Sequence, residues 1–420
     1  MGRIREREGR YVVDGWRLWT RLSELAEIGK HEEGGVARLS FTPEERAAKD
    51  LVASYMREAG LAVREDAAGN LFGRREGSDP GAPAVLVGSH LDSVLGGGDF
   101  DGPLGVIGGI EVLQIMDEEG VETERPVEVV AFTDEEGARF SLGMIGSRAL
   151  TGELSQEDLR HEDQDGVSVA EAMRGAVLDP ARIGEAARSS DSLAAYLELH
   201  IEQGKVLEAE GLPVGVVTGI AGPVWLDLSF AGEAGHAGTT PMGARRDALA
   251  AAAEVVGIIE EEASATGSTV GTVGRIGARP GGINIIPGRV ELSLDLRDID
   301  GAVRDRVEGR IRERAGEACE RRGIGLEFEE LQRLPPAPCS AEIQAAIAAA
   351  CEREGMRPFT LPSGAGHDGM HVAGLCPMGM IFVRSRDGIS HNPKERSSPE
   401  DCEAGCKVLY STVLDLATRG

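Results

Sequence analysis

Short apolar runs alternate with amphipathic stretches along most of the chain, a pattern that predicts buried strands separated by helices. The clearest case is an apolar run at 84–87, a helix at 103–116 and a second apolar run at 127–132. Because a strand, a crossover helix and a second strand form a βαβ unit, these segments predict a largely parallel sheet. The other elements of this texture are helices at 44–58, 202–210, 341–354 and 399–417 and strands at 196–200 and 378–383.

The texture changes between residues 213 and 331. Residues 289–296 alternate strictly between apolar and polar side chains, which is typical of a half-buried antiparallel strand. In chain order the predicted elements are a strand at 224–230, a helix at 246–262, strands at 269–276 and 289–296, a helix at 303–321 and a strand at 325–329. This βαββαβ order is that of the ferredoxin-like split βαβ unit.

We therefore predict an α/β protein with two domains. Residues 1–212 and 332–420 form a discontinuous domain with a mixed, mostly parallel sheet, and residues 213–331 form an inserted ferredoxin-like βαββαβ domain. A chain of 420 residues is long enough for two such domains with full hydrophobic cores.

The net charge narrows the classes of partner. With 71 acidic and 44 basic residues the formal net charge is -27 at pH 7, which disfavours nucleic acids and anionic membranes as partners. No apolar run approaches the ~18 residues of a membrane-spanning helix. The first residues lack the apolar core of a signal peptide and the six cysteines form no CxxC pair, so we expect a cytoplasmic protein with buried, reduced thiols.

Candidate chemistry begins at the end of the strand predicted at 84–87, in the sequence Gly-Ser-His-Leu-Asp. His90 and Asp92 lie at this strand end, where α/β folds place their sites, and Asp101 follows a glycine-rich loop that can bend back toward them. An imidazole and two carboxylates at one strand end suit a divalent metal ion. A solvated turn of aspartate and glycine with an isolated histidine explains this segment equally well.

Two further segments place polar side chains after predicted strands. Glu135 and Glu136 follow the strand at 127–132. Because neighbouring residues on an extended backbone point in opposite directions, one carboxylate can bind a metal while the other faces a water. His391 lies in a loop that Pro393 makes rigid, after the strand at 378–383. An acidic, solvated turn and a surface turn are the alternative interpretations of these two segments.

Two more histidines lie in distinctive surroundings. His200 ends a predicted strand and is a candidate ligand, with Gln203 as a candidate hydrogen-bonding group, although the same segment also fits a helix capped by Glu202. His236 is surrounded by small residues, so another surface can approach its imidazole closely, and a flexible hairpin is the alternative.

The segments gain weight when they are taken together. The residues that fall at the ends of successive strands in one α/β layer are His90, Asp101, Glu136, His200 and His391. Imidazoles combined with carboxylates suit Zn or Mn. A shared carboxylate would hold two metal ions ~3.5–4 Å apart, which is the arrangement of two-metal hydrolases.

Nine short motifs occur in the order found in one enzyme family: GSHLDS, FDGPLGV, DEEGARF, LHIEQG, AGHAGTTPM, GGINIIPG, DLRDID, SGAGHD and SHNPKE. On these motifs the chain resembles the hydantoinase/carbamoylase amidohydrolases, which belong to the superfamily of dinuclear zinc exopeptidases and aminoacylases. The resemblance extends from about residue 17 to the C-terminus.

The resemblance implies two divalent metal ions per subunit (Zn, Mn or Co). Asp101 would bridge them, His90 and His200 would complete one site, and Glu136 and His391 would complete the other. Asp92 would orient His90 and Glu135 would be the general base. The resemblance further implies that substrate is held by Gln203, His236, Asn284, Arg297 and the backbone near Gly366.

The resemblance also implies that the inserted domain is a lid that forms a homodimer, with His236 reaching the active site of the partner subunit. The expected reaction is hydrolysis of an N-carbamoyl-L-amino acid to the amino acid, CO2 and ammonia. Allantoate or another ureido acid is the alternative substrate. A metallo-dipeptidase or aminoacylase is disfavoured, because related peptidases have a carboxylate in place of His200. A non-catalytic protein on this fold is disfavoured, because every expected ligand and the general base are present.

Overall fold

The structure is a computed structural model that describes residues 13–31 and 34–418. The chain folds into two compact units. The first unit comprises Met1–Thr218, Pro338–Leu361 and His367–Gly420, and the second comprises Gly219–Ala337 and Pro362–Gly366. The first residues of the chain, on which the expectation about a signal peptide rests, lie outside the described residues.

The first unit is built from two separate stretches of chain. The helices of its first stretch are α1 (Gly15–Ala26), α2 (Pro43–Glu58), α3 (Pro103–Glu118), α4 (Ile145–Thr151), α5 (Val169–Gly175) and α6 (Val206–Glu210). The strands of this stretch are β1 (Ala62–Glu65), β2 (Leu71–Arg75), β3 (Ala84–His90), β4 (Val127–Phe132), β5 (Leu193–Ile201) and β6 (Val214–Ile220).

The second unit contains two further helices and six strands. In chain order its elements are β7 (Gly222–Ala231), β8 (Gly235–His236), α7 (Ala248–Ser264), β9 (Val270–Arg279), β10 (Ile285–Ile286), β11 (Arg289–Asp298), α8 (Gly301–Arg322) and β12 (Gly325–Arg333). The chain then continues with β13 (Ala337–Pro338), α9 (Ala341–Arg353), β14 (Thr360–Ser363), α10 (Gly369–Val372), β15 (Met378–Val383) and α11 (Pro399–Thr418).

The main sheet of the first unit is mixed, with a parallel centre. Its strands follow the order β1-β2-β4-β3-β5-β15-β6-β13, and β14 also pairs with β6. The neighbours β4, β3, β5 and β15 are parallel, whereas β2 and β6 pair antiparallel with the strands beside them. Every residue of β3, β4 and β15 is buried, as expected for central strands with both faces covered. The predicted fold class is confirmed.

Helix α3 packs against this centre closely because it carries small residues on the contact side. Pro103 lies at its start, where the missing N–H costs nothing. A Cβ atom at Gly105 would lie 2.5 Å from the carbonyl oxygen of Leu199 in β5, so only glycine permits this approach. The helix therefore lies directly against the strands whose ends carry the candidate ligands.

The second unit has the predicted split βαβ topology. Its four long strands follow the order β12-β7-β11-β9, and all three pairs are antiparallel. The alternation predicted for 289–296 is present in β11, where Val290, Leu292, Leu294 and Leu296 are buried in the core. The chain enters this unit at Gly219 rather than at residue 213, because the start of β6 pairs with β15 in the first unit.

The helix predicted at 202–210 is shorter, since Glu202 accepts hydrogen bonds from the backbone N–H groups of Val206 and Leu207 and so caps α6 from outside. All six cysteines are buried and unpaired, as interpreted from their spacing. In the described part of the chain, no helix combines the length and apolar character needed to cross a bilayer.

Candidate active site

The candidate ligands lie at one edge of the main sheet because their strands are parallel neighbours. His90 ends β3 and His200 lies next to the last residue of β5. Glu136 follows the end of β4, and His391 lies in the loop after β15. Since β4, β3, β5 and β15 are adjacent and run in the same direction, their carboxyl ends meet at one edge of the sheet.

Asp101 lies between two groups of side chains and presents one oxygen to each. Its Oδ1 lies 3.1 Å from His200 Nε2 and 3.7 Å from His90 Nε2. Its Oδ2 lies 3.4 Å from His391 Nε2, which is itself 3.2 Å from Glu136 Oε2. Within each group the ligand atoms lie within 4.8 Å of one another. The five residues expected to bind metal are therefore brought together, with Asp101 common to both groups.

Backbone carbonyls orient two of the histidines. His90 Nδ1 lies 3.0 Å from the carbonyl oxygen of Asp92, and His200 Nδ1 lies 2.9 Å from that of Ile201. A carbonyl only accepts, so Nδ1 carries the proton and the Nε2 lone pair faces Asp101. The buried Nε2 of His200 makes no hydrogen bond of its own. An imidazole nitrogen with a free lone pair beside a carboxylate oxygen can coordinate a divalent metal ion. The residues therefore fit such an ion.

The Asp92 carboxylate holds the backbone of the two glutamates. It accepts hydrogen bonds from Glu135 N and Glu136 N, both at 3.1 Å. Its distance to His90 Nδ1 is 3.7 Å, so His90 is oriented by the Asp92 backbone rather than by the Asp92 carboxylate. The side chain expected to orient a histidine instead positions the turn that carries the acidic pair.

Glu135 and Glu136 face two different histidines. An extended backbone was expected to produce this opposite orientation, but a turn produces it instead. Strand β4 ends at Phe132, and Asp134 adopts a left-handed backbone conformation with φ of 57°. After this turn the Glu135 carboxylate lies 3.8 Å from His90 Nε2, while Glu136 faces His391. Such strain in a residue other than glycine persists only where its surroundings hold it, and it concentrates at functional sites.

The surroundings of the cluster raise the pKa of two of its side chains. Burial raises the pKa of Glu135 well above its usual range, and the neighbouring carboxylates of Glu136 and Asp368 raise it further. Hydrogen bonds to Asp101 and Glu136 raise the pKa of His391 to about 10. An excess of buried negative charge thus binds protons where no cation is present, and a divalent ion would displace them.

A third group of possible ligands competes for His200. It consists of Glu198, His200 and His367, all buried. Glu198 already accepts hydrogen bonds from the hydroxyls of Ser89 at 2.8 Å and Tyr196 at 3.0 Å. Because the Nδ1 atom of His200 faces a carbonyl, its one free nitrogen points to Asp101. The geometry therefore favours the two groups that share Asp101.

Gln203 lies against the shared carboxylate of Asp101. Its Nε2 donates to Asp101 Oδ2 at 2.7 Å, and its buried Oε1 accepts no hydrogen bond. Its backbone is left-handed, with φ of 58°, and its N–H donates to the hydroxyl of Ser385. The structure therefore places Gln203 against the shared carboxylate, with one amide oxygen available to a ligand.

In the second unit, His236 and Asn284 lie side by side. His236 pairs with Ile285 across the short strands β8 and β10, and Ala237 N donates to Asn284 O at 3.0 Å. His236 is exposed, and its Nδ1 accepts from Gly238 N at 3.0 Å. Because Nδ1 is an acceptor here, the proton is on Nε2, which points outward as a hydrogen-bond donor.

Arg297 lies elsewhere in the second unit, beside the glycine-rich segment that contains Gly366. Its Nε and Nη2 bind the Asp295 carboxylate at 2.8 and 2.7 Å, and its Nη1 donates to Gly364 O at 2.7 Å. These contacts use three of the five N–H groups of the guanidinium. Two N–H groups therefore remain for another acceptor.

Ser390 and Glu395 were not singled out from the sequence. Ser390 Oγ lies 2.6 Å from Asp101 Oδ2, and Glu395 accepts hydrogen bonds from the backbone at Phe100 and Asp101. Both residues lie within the motif SHNPKE, of which only His391 was taken as functional. Their position in that motif was the only available signal, since their partners are about 300 residues away in the chain.

Comparison with known proteins extends the resemblance over both units. The model of peptidase family M20/M25/M40 matches residues 86–415. The chain is 60% identical over 406 residues to an N-carbamoyl-L-amino acid amidohydrolase of Geobacillus stearothermophilus, covering 97% of this chain and 99% of that relative. It is 40% identical over 422 residues to a ureidoglycolate hydrolase of Arabidopsis thaliana. That match covers 96% of this chain and 87% of the relative.

A solved structure is similarly close. The crystal structure of an amidase of the hydantoinase/carbamoylase family from Burkholderia multivorans matches with a TM-score of 0.92 and 38% identity. The match covers 97% of this chain and 99% of that chain. The similarity therefore includes the fold of nearly the whole chain as well as its motifs.

Proposed function

The chain belongs to the peptidase family M20/M25/M40 and, within it, to the hydantoinase/carbamoylase amidohydrolases, and from this premise we propose that it cleaves N-carbamoyl-L-amino acids into the amino acid, CO2 and ammonia. The observation that carries the proposal is the position of Asp101, whose two oxygens face His200 on one side and His391 on the other. This arrangement suits two-metal hydrolysis of a poor electrophile such as a ureido carbonyl.

In this proposal two divalent ions (Zn, Mn or Co) occupy the groups that share Asp101. His90 and His200 complete one site, and Glu136 and His391 complete the other. When bound, such ions supply Lewis-acid polarisation of the carbonyl and make the attacking water more acidic.

Glu135 acts as the general base and then as the general acid. Its carboxylate lies beside the ligand His90 without belonging to either group, which leaves it available to the attacking water. Burial raises the pKa of Glu135, which makes its carboxylate a stronger base toward the proton of the attacking water. The proton taken from water passes to the leaving nitrogen.

The proposed substrate contacts are the five residues that the family resemblance implies. Arg297 offers its two remaining N–H groups to the substrate carboxylate, with Asn284 and the backbone near Gly366 as further contacts. Gln203 offers its free amide oxygen. The Nε2–H of His236 is a donor suited to the oxyanion of the tetrahedral intermediate. Arg297 is the cation among these groups, and it supplies local positive charge in a strongly acidic protein.

Allantoate and other ureido acids are the alternative substrates, since a ureidoglycolate hydrolase is 40% identical to the chain over 422 residues. We propose a cytoplasmic enzyme in either case. N-carbamoyl-L-amino acids are favoured because the chain is 60% identical to an N-carbamoyl-L-amino acid amidohydrolase and 40% identical to the ureidoglycolate hydrolase.

A substrate panel tests the proposed reaction. Ammonia release should be measured with N-carbamoyl-L-amino acids, their D-enantiomers, allantoate and ureidoglycolate. Release of free amino acids should be measured with dipeptides, and Mn, Co or Zn is added in every assay. We expect kcat/KM for the best N-carbamoyl-L-amino acid to exceed that for allantoate and for every dipeptide by at least about tenfold, since a mismatched polar contact costs this much or more. A preference for allantoate would establish the alternative, and a preference for dipeptides would contradict both.

We further propose that the second unit forms a homodimer. Of the twelve large hydrophobic side chains that are exposed among the described residues, eight lie in this unit. The edge strand β9 is exposed along most of its length, and an unpaired edge favours pairing with another chain. The eight side chains are Trp225, Met242, Leu249, Val270, Ile276, Ile283, Ile285 and Leu331.

Mixing two inactive variants tests whether His236 acts in the partner's site. His236→Ala chains retain Glu135, and Glu135→Gln chains retain His236. In a mixed dimer one of two sites then receives both intact residues, so random exchange should restore about a quarter of the wild-type rate. If activity stays absent after mass spectrometry has verified subunit exchange, His236 does not act across the interface.

A further inference from the structure

Glu395 is a buried carboxylate that lies between the two loops carrying candidate ligands. The residue is 5% exposed and follows His391 by four positions. Its Oε1 accepts hydrogen bonds from Phe100 N at 2.9 Å and from Asp101 N at 3.1 Å. Its Oε2 lies 2.9 Å from the Ser390 hydroxyl oxygen. One side chain thus accepts from two backbone donors of the first loop and contacts a hydroxyl of the second.

Ser390 extends this connection to the shared carboxylate. Its hydroxyl lies 2.6 Å from Asp101 Oδ2 as well as 2.9 Å from Glu395 Oε2. The backbone of Glu395 donates to Asn392 O at 2.9 Å, so residues 390–395 form a closed turn. The backbone of Asp101 and its side chain are therefore both tied to the loop that carries His391.

The space for this carboxylate depends on Gly98. A Cβ atom at position 98 would lie 2.1 Å from Glu395 Cδ, so no other residue fits there without displacing the carboxylate. His391 has a φ of 53°, a left-handed conformation that is unfavourable for any residue other than glycine. Such a conformation persists only where surrounding contacts hold it, and the Glu395 turn provides such contacts.

We infer that Glu395 is a positioning residue that holds Asp101 and His391 in the arrangement required to bind metal ions in both groups. The inference rests on the proposed metal binding. It does not rest on the identity of the substrate. Groups that orient metal ligands typically contribute about 10–100-fold to metal affinity.

The test measures metal binding directly. Metal-free full-length protein is titrated with Co2+, and binding is followed by the visible absorption of the bound ion and by calorimetry. We expect Glu395→Ala to weaken the affinity of both sites by about 10–100-fold, because the two backbone donors lose their acceptor. Glu395→Gln keeps an oxygen for these donors and an amide for Ser390, so we expect it to bind Co2+ within about threefold of the wild type.

Asp298 provides a matched control in the second unit. This buried carboxylate likewise accepts from one backbone N–H, at Asp300, and from the hydroxyls of Ser268 and Thr269. Asp298→Ala should lower thermal stability without changing Co2+ affinity. If Glu395→Ala does not fold, Ser390→Ala replaces it, with an expected loss of about 2–10-fold from one hydrogen bond.

Several outcomes would overturn the inference. The first is a Co2+ affinity that is unchanged in Glu395→Ala, or in Ser390→Ala if that variant has to replace it. The second is a loss of Co2+ affinity in Asp298→Ala as large as that in Glu395→Ala. The third is a Glu395→Gln variant that binds Co2+ as weakly as Glu395→Ala does. The last result would assign the effect to charge instead of position. Wild-type protein that binds no Co2+ would contradict the proposed function itself, and this result is distinguishable from the others.

Discussion

Replacing Glu135 with glutamine is expected to lower kcat by roughly 10²–10⁴-fold, which is the usual contribution of general acid–base catalysis. The amide is similar in size to the carboxyl group and cannot accept the proton of the attacking water. Since Glu135 belongs to neither group of ligands, both metal ions should remain bound. Steady-state kinetics and metal content measured on the same protein sample check both parts of this prediction.

A matched variant separates loss of the base from loss of any buried carboxylate. Glu111 is fully buried in α3, where it accepts hydrogen bonds from Asp14 N and the Arg17 guanidinium. Glu111→Gln should lower stability and leave kcat within about twofold of the wild type. Near-normal turnover of Glu135→Gln, or loss of metal from it, would mean that the roles of Glu135 and Glu136 are misassigned.

Removing the metal ions should abolish hydrolysis, and adding Mn, Co or Zn should restore it, because the proposed reaction depends on Lewis-acid activation. Single ligands should differ in their effect. His391 belongs to one group only, so His391→Ala should bind one ion per chain instead of two. Asp101 belongs to both groups, so Asp101→Ala should lose both. Metal analysis after dialysis and activity assays provide the measurements.

A histidine outside the groups serves as the control. His371 pairs with Glu153 at 2.5 Å in the first unit, and His371→Ala should keep both ions.

Metal uptake should weaken as the pH falls, since the pKa of His391 is about 10 in the metal-free protein and its proton must be displaced. Full activity in protein shown to be free of metal would contradict the proposed mechanism.

Regular elements were predictable from local pattern alone. The fully apolar runs of β3, β4 and β15 and the strict alternation of β11 are direct consequences of burial on both faces or on one face. The helix at 202–210 was predicted too long, although a cap by Glu202 was one interpretation of the segment, because the pattern does not show that the capped helix α6 begins only at Val206. A cap of this kind is a contact, and a contact depends on geometry.

The candidate site also has features that were predictable from the sequence and features that were not. The five ligand positions were predictable because parallel strands place their carboxyl ends together and because the motifs occur in a known order. The partners of Asp92, Gln203 and Glu395 were not predictable. The hydrogen bonds of all three residues join segments that are far apart in the chain. The opposite orientation of Glu135 and Glu136 was expected from an extended backbone and instead follows from the left-handed turn at Asp134.

The sequence by itself determined the alternation of strands and helices, the inserted split βαβ unit, the acidic surface and the residue types available for metal chemistry. These properties depend on side-chain polarity at short spacing, which can be read from consecutive residues. Only the tertiary structure decided which oxygen of Asp101 faces which histidine, and that Glu395 connects the two ligand loops. Those features depend on distances of a few ångströms between residues that are remote in sequence, and such distances are set by how the elements pack.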